Sequence, residues 1–259
     1  MPLLTWIIVF CLLGGLLSAL AAALFLVVRE PMRTHLLPHL VSFATGALLG
    51  AAFLGLLPHA LAAAPQADTH IIPLAVLLGL LGFFLLEKLV LWRHCHADHC
   101  EIHAPQKSER QRSAGTLILI GDGLHNFLDG ILIAGAFLTD VHLGVVTSLA
   151  VVAHEIPQEV GDFAVLLHSG FTRRRAFIYN IIASLTTVIG GVLAYYSLQE
   201  LAHVLPFVLA VAASSFIYIA VADLIPTLHE RADARAAVQQ VLLITAGVLV
   251  IYSTHSSLH

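Results

Sequence analysis

The sequence predicts an all-α integral membrane protein, eight transmembrane helices folded as a single domain over residues 1–259. Three observations predict it. Charged residues make up only 11% of the chain and apolar residues 59%, against about 25% charged in an ordinary soluble domain. Apolar runs of about 20 residues, each long enough to cross a ~30 Å hydrocarbon core, recur from end to end. The 12 basic residues gather at alternate connections between those runs.

The runs fall at roughly 4–28, 36–63, 71–92, 115–138, 143–168, 175–197, 204–227 and 237–254. The first lacks a basic n-region and exceeds the usual ~7–15 residue apolar core of a signal peptide, so it is expected to stay in the membrane. Arg29 and Arg33 lie between the first two runs. Lys88, Arg93, Lys107, Arg110 and Arg112 lie at or in the third connection, Arg173 to Arg175 in the fifth, and Arg231 and Arg235 in the seventh. The intervening connections, such as Pro65 to Thr69 and Thr139 to His142, have none. An excess of Lys and Arg marks cytoplasmic loops, so both termini are expected outside. A missed or invented helix would break this alternation.

The loops are short and leave no room for a soluble domain. The lipid bilayer is the first partner implied, and a net charge of −4 gives no reason to expect nucleic acid. Cys11, Cys95 and Cys100 make no disulfide framework. No Asn-x-Ser/Thr sequon occurs, and with the short loops this favours a bacterial inner (plasma) membrane.

Leu56-Leu57-Pro58-His59-Ala60-Leu61 in the second run echoes Leu224-Ile225-Pro226-Thr227-Leu228-His229 in the seventh. These two helices run in opposite directions, so the echo is inverted. Inverted repeats with interrupted helices are a common plan of secondary transporters, and here would relate helices 1–3 to helices 6–8 around helices 4–5. Leu-x-Pro is also an ordinary way to end a helix.

The fourth and fifth runs carry residues that lipid does not tolerate. A carboxylate at the bilayer centre costs roughly 2.5–3.5 kcal/mol even on the lenient insertion scale, so such residues face a functional interior. In the fourth, His125 and Asp129 are spaced i,i+4, and Asn126 shares their face. In the fifth, His154 and Gln158 form one i,i+4 pair and Glu155 and Glu159 another, with Asp162 on the same side. Imidazole with carboxylate and no thiolate suits zinc, iron or manganese that must leave again. Pro157 cannot donate to the carbonyl of Ala153 and is expected to kink the helix at the site. Gly130 and Gly161 are expected to let the helices approach closely.

The His-Asn-x-x-Asp-Gly of helix 4 and the His-Glu-x-Pro-x-Glu-x-Gly-Asp of helix 5 resemble the ZIP (Zrt/Irt-like protein) family of divalent metal transporters. The resemblance extends to Phe43-Ala44-Thr45-Gly46, to Asp223 and Pro226, and to the topology. It implies a ZIP-type bundle that often pairs as a homodimer and takes zinc, or alternatively iron, manganese or cadmium, into the cytoplasm. Zinc is then transported substrate, with no organic cofactor and no enzymatic activity. The family's two metal positions fall on His125, Asp129, His154 and Gln158, and on Asn126, Asp129, Glu155 and Gln158, with Asp223 near the second. The chain departs from the pattern at Gln158, where relatives place His or Glu.

The third connection, about 93–113, contains His94, Cys95, His96, His99, Cys100 and His103. Four imidazoles and two thiols in ten residues make a flexible chelator, expected to act as a secondary metal-binding loop. The rival reading is an intramembrane zinc metallohydrolase or protease, whose His-Glu-x-x-His motif uses two His ligands one turn apart. Here Gln158 stands where the second His belongs.

Overall fold

The computed structural model describes residues 2–25, 27–63, 70–95, 107–229 and 234–257, and the statements below concern these. Eight long helices account for nearly all of them, with no strand. Helix α1 is Leu3–Phe25. Helix α2 consists of Glu30–Gly50, a π-helical turn over Ala51–Leu56, and Leu57–Ala63. Helices α3, α4 and α5 are Ile71–Cys95, Lys107–Thr139 and Val141–His168. Helix α6 is Arg173–Ser184 continued after Leu185 by Thr186–Leu198. Helix α7 is Leu205–Tyr218, a π turn over Ile219–Leu224, and Ile225–His229. Helix α8 is Ala234–Ser257.

Seven of the eight are long and apolar enough to cross a membrane. The exception is α5, whose 28 residues suffice in length but include Glu155, Glu159 and Asp162. Glu155 and Glu159 are tolerated because they lie on the buried face of α5, which packs on α4, α1 and α2. The closest pairings elsewhere are α4 with α6, α2 with α8, and α3 with α7. Small residues make two of them possible, since lipid supplies no hydrophobic drive between helices and packing must come from close approach. A Cβ on Gly130 would lie 1.9 Å from the Thr187 carbonyl oxygen, and one on Gly46 would lie 2.0 Å from that of Ile244. Gly161 does not act this way: a Cβ there would meet nothing within 4 Å. It sits on a face with no neighbouring backbone, so the expected close approach is made at Gly130 and not at Gly161.

The helices also overrun their apolar segments. Helix α4 starts at Lys107 and α3 ends at Cys95, so the loop expected over about 93–113 is shorter. Lys, Glu, Arg and Gln are good helix formers, and apolarity does not limit a helix once it leaves lipid. His94 and Cys95 fall in the last turn of α3, while His96, His99, Cys100 and His103 lie outside the described residues.

The echo between helices 2 and 7 has a local structural counterpart. Leu57, just before Pro58, donates its backbone N–H to Ala52 O, and Ile225, just before Pro226, donates to Ala220 O. Both bonds span five residues, the spacing of a π turn, and each turn begins seven positions before its proline.

The bundle is divided across its thickness. The buried apolar core is drawn from Ile7 and Cys11 of α1, Ala47 to Ala60 of α2, Ile72 of α3, Leu132 to Phe137 of α4, Leu143 to Val151 of α5, Ala194 of α6, Leu209 to Ala220 of α7 and Ile251 of α8. These are the helix halves remote from the basic connections; a smaller buried apolar cluster, Phe163, Leu166 and Ala176, lies between α5 and α6 beside the basic fifth connection. The opposite halves of α2, α3, α4, α5 and α7 instead surround a cavity of about 750 Å³. Functional residues sit where the packed half gives way to the cavity.

Candidate metal centre

Helices α4 and α5 are joined by one residue. Asp140 caps α5: its Oδ1 accepts the backbone N–H of His142 at 2.8 Å and of Leu143 at 3.0 Å. Partial burial opposes ionisation of Asp140. The Leu143 and His142 N–H groups, aided by the imidazoles of His142 and His59, outweigh this and hold its carboxyl below the usual range. So tight a turn makes α4 and α5 antiparallel neighbours and sets the polar face of one against that of the other.

Four side chains converge there. The ligand-type atoms of His125, Asp129, His154 and Glu155 all lie within 4.8 Å of one another. His125 Nε2 is 3.2 Å from His154 Nε2 and 3.3 Å from Glu155 Oε1. His154 Nε2 is 3.3 Å from Asp129 Oδ2 and 3.6 Å from Glu155 Oε1, and His125 to Asp129 is 3.8 Å. Ligand atoms about 2.0–2.2 Å from a tetrahedral zinc stand roughly 3.3–3.6 Å from each other. Five of the six spacings bracket that edge length, and the sixth, between the Asp129 and Glu155 carboxylates, lies within 4.8 Å, so the group is of the right size for one such ion.

The surroundings favour a cation. All four oxygens of Asp129 and Glu155 are buried without a hydrogen-bond partner, and two such carboxylates are costly unless a positive charge compensates them. His154 Nδ1 stands 3.1 Å from Ala150 O. A carbonyl only accepts, so Nδ1 carries the proton and Nε2 presents its lone pair to the centre. Phe216 of α7 packs edge-on against the His154 ring. His125 is the accessible member, 22% exposed, whereas His154, Asp129 and Glu155 are essentially sealed.

Asn126 is not turned toward this group. Its Nδ2 donates to Asp122 Oδ1 at 2.8 Å, and its Oδ1 accepts from Thr187 Oγ1 of α6 at 2.8 Å. Both ends of the amide are thus engaged. Gln158 and Asp223 line the cavity together with Pro157 and Asp162, with Asp223 inside the π turn of α7. On the same wall, Tyr218 donates its hydroxyl to Glu87.

Two participants were not singled out from the sequence. Asp122 is buried beside Asn126 and, with Glu155 and Glu159, forms a second group of carboxylates whose oxygens lie within 4.8 Å. Its signal was positional: it precedes His125 by three residues and Asp129 by seven, one continuous helical stripe. Glu87 carried only the ordinary look of a charge near a helix end.

Residues 92–254 match the family described as "ZIP Zinc transporter". The chain is 35% identical to "Zinc transporter ZIP13" of Pongo abelii over 95% of its own length and 77% of the relative's. It is 32% identical to the protein of the same name from Homo sapiens, over 95% of the chain and 80% of the relative. Similarity to "Zinc transporter ZIP10" of Homo sapiens, 35% identical, covers 55% of the chain and 18% of that protein.

Proposed function

The chain belongs to the ZIP zinc transporter family, and from that premise we propose that it moves zinc across the membrane through the centre on α4 and α5. It is a transporter and not an enzyme. The metallohydrolase alternative has no support, because the similarity is to transporters along essentially the whole chain and Gln158 replaces the second ligand of the protease motif. His125, Asp129, His154 and Glu155 are assigned as the zinc ligands. The observation that carries the assignment is the convergence of their four ligand atoms, with five of the six spacings near a tetrahedral edge length. Two carboxylates balance the charge of one divalent ion, and two neutral imidazoles add affinity without charge.

Gln158 and Asp223 are assigned to the path below the centre, where a weak amide donor and a single carboxylate receive the ion as it leaves. Asn126 is a positioning residue for Asp122. The His94–His103 tract is proposed as a chelating loop at the end of that path. The cavity on the basic side and the packed core opposite support a conformation open toward the cytoplasm, with both termini outside and transport running inward. The matched π turns of α2 and α7 support an inverted repeat, with α5 as the eighth crossing. Iron, manganese and cadmium as alternative cargo, a homodimer and a bacterial inner membrane complete the proposal.

The test is uptake of radiolabelled zinc into vesicles, with iron, manganese and cadmium as competitors. His154→Ala and Asp129→Ala are expected to lower zinc uptake by at least about 100-fold. Undiminished uptake in both variants refutes the assignment.

A further inference from the structure

Beyond the zinc centre, we infer that Asp122, Glu155 and Glu159 form a second, oxygen-only cation position that shares Glu155 with the first and takes a harder divalent ion of the manganese class. It differs from the position implied by family resemblance, since it uses neither Asn126 nor Gln158.

The geometry begins with the three carboxylates. Their oxygens fall within 4.8 Å of one another, and all three residues are buried. Asp122 is braced on one side only: Oδ1 accepts from Asn126 Nδ2, while Oδ2 is buried with no partner. Both Glu155 oxygens are likewise unpartnered. Glu159 is anchored from α6, where Asn180 Nδ2 donates to its Oε2 at 2.6 Å and Ser184 Oγ to its Oε1 at 2.8 Å. Thr187 holds Asn126, which holds Asp122. Helix α6 therefore bonds Glu159 directly and braces Asp122 at one remove, through Asn126 of α4, an arrangement that orients metal ligands. Asp122 Oδ2 and both Glu155 oxygens keep their lone pairs free within this cluster.

Charge points the same way. Asp122, Asp129, Glu155 and Glu159 are four carboxylates across the two adjoining groups, and no Lys or Arg pairs with them among the described residues. One divalent ion neutralises two of them; a second neutralises the rest. The donor sets separate the two ions. The first group offers two imidazoles and suits zinc, whereas carboxylate oxygen alone suits manganese or a similar hard ion.

Manganese electron paramagnetic resonance on the purified full-length protein in nanodiscs tests this. Zinc is first supplied only at the stoichiometry of its tightest sites, the imidazole centre and the His/Cys tract, because an excess would compete for the carboxylate oxygens as well. Manganese is then added, and bound ion is read with its nitrogen-14 couplings. The expected result is one further manganese per chain, without imidazole nitrogen coupling. Asp122→Asn and Glu159→Gln are each expected to lower its affinity at least tenfold while tightly bound zinc is retained. Asn180→Ala, which leaves every carboxylate in place, is expected to weaken it less. Manganese binding equal in wild type, Asp122→Asn and Glu159→Gln, absent from all, or coupled to imidazole nitrogen overturns the proposal. Zinc binding is followed separately in the same samples. Loss of zinc with nitrogen-free manganese retained would strike the first centre and not the second.

Discussion

Asp129 on α4 and Glu155 on α5 belong to the same cluster of ligand atoms, yet not one of their four oxygens has a hydrogen-bond partner. In a buried setting each such group opposes folding until a cation arrives. Glu155→Gln is therefore expected to shift two measurements in opposite directions. Melting of the metal-free protein should rise, by a margin of about 1 kcal/mol or more, the scale of one relieved buried polar group. Stabilisation by added zinc should fall to near zero. A metal-free variant no more stable than wild type would show that Glu155 is already compensated by other means.

Gln158 lines the cavity beside His154 and offers zinc a neutral amide oxygen. Gln158→His adds an imidazole, a better ligand for zinc. Zinc affinity should rise about tenfold, and turnover at saturating zinc should drop because release is slowed. Calorimetry and vesicle uptake on the same preparation measure both, and equal affinity in the two proteins would remove Gln158 from the path.

Two glycines of the polar motifs should respond oppositely to alanine. At Gly130 the new methyl would meet backbone of Thr187 and Gly191, which has no rotamer to escape by. Overpacking of this kind costs about 1–3 kcal/mol, occasionally more, and would push away the helix that holds Asn126. Gly161→Ala meets nothing within 4 Å and gains roughly 0.8–1 kcal/mol of helix propensity. Thermal unfolding of the two variants should therefore bracket wild type. Destabilisation by Gly161→Ala would contradict the open space at that position.

Asp140→Ala removes the cap of α5 and should cost about 1 kcal/mol at neutral pH. The carboxyl is held below its ordinary value, so its ionised form stabilises the fold. That contribution is fully present above the ordinary value of 3.8 and fades as pH falls through the lower folded value. The stability difference between wild type and Asp140→Ala should thus stay level from pH 7 to about 4 and shrink below it. Asp140→Asn keeps a capping oxygen without the charge and should show a smaller, pH-independent loss. A wild-type-to-alanine difference unchanged at the lowest pH would assign the stabilisation to hydrogen bonding alone.

The convergence of the four proposed ligands was legible in the sequence because a helix converts spacing into direction. His125 with Asp129, and His154 with Glu155, had to face a common interior once both helices crossed a membrane. Helical spacing alone could not orient Asn126. Its partners are Asp122, one turn earlier, and Thr187, 61 residues later on α6, and only tertiary packing brings the latter close. Gly161 misled for the same reason, since whether a small residue meets another helix depends on which face is covered. The π turns of α2 and α7 were foreshadowed by the paired prolines. Their placement, beginning seven residues upstream, depends on a backbone bonding choice that side-chain pattern does not report. The division into a packed half and a hollow half emerged only from the assembled bundle.

That division has an electrical consequence. Were the hollow filled with water it would conduct, so little voltage would fall along it, and the transmembrane field would concentrate across the packed half built around Phe137, Leu143 and Phe216. An ion resting at His125 and His154 would then share the potential of the compartment that the hollow faces. A doubly charged ion passing the packed half would experience nearly the full drop, roughly 4.6 kcal/mol per 100 mV. Carboxylates that travelled with it would cancel that work, because two negative charges and one divalent cation carry no net charge through the field. The voltage dependence of uptake therefore reports whether the ion moves alone or accompanied by its ligands.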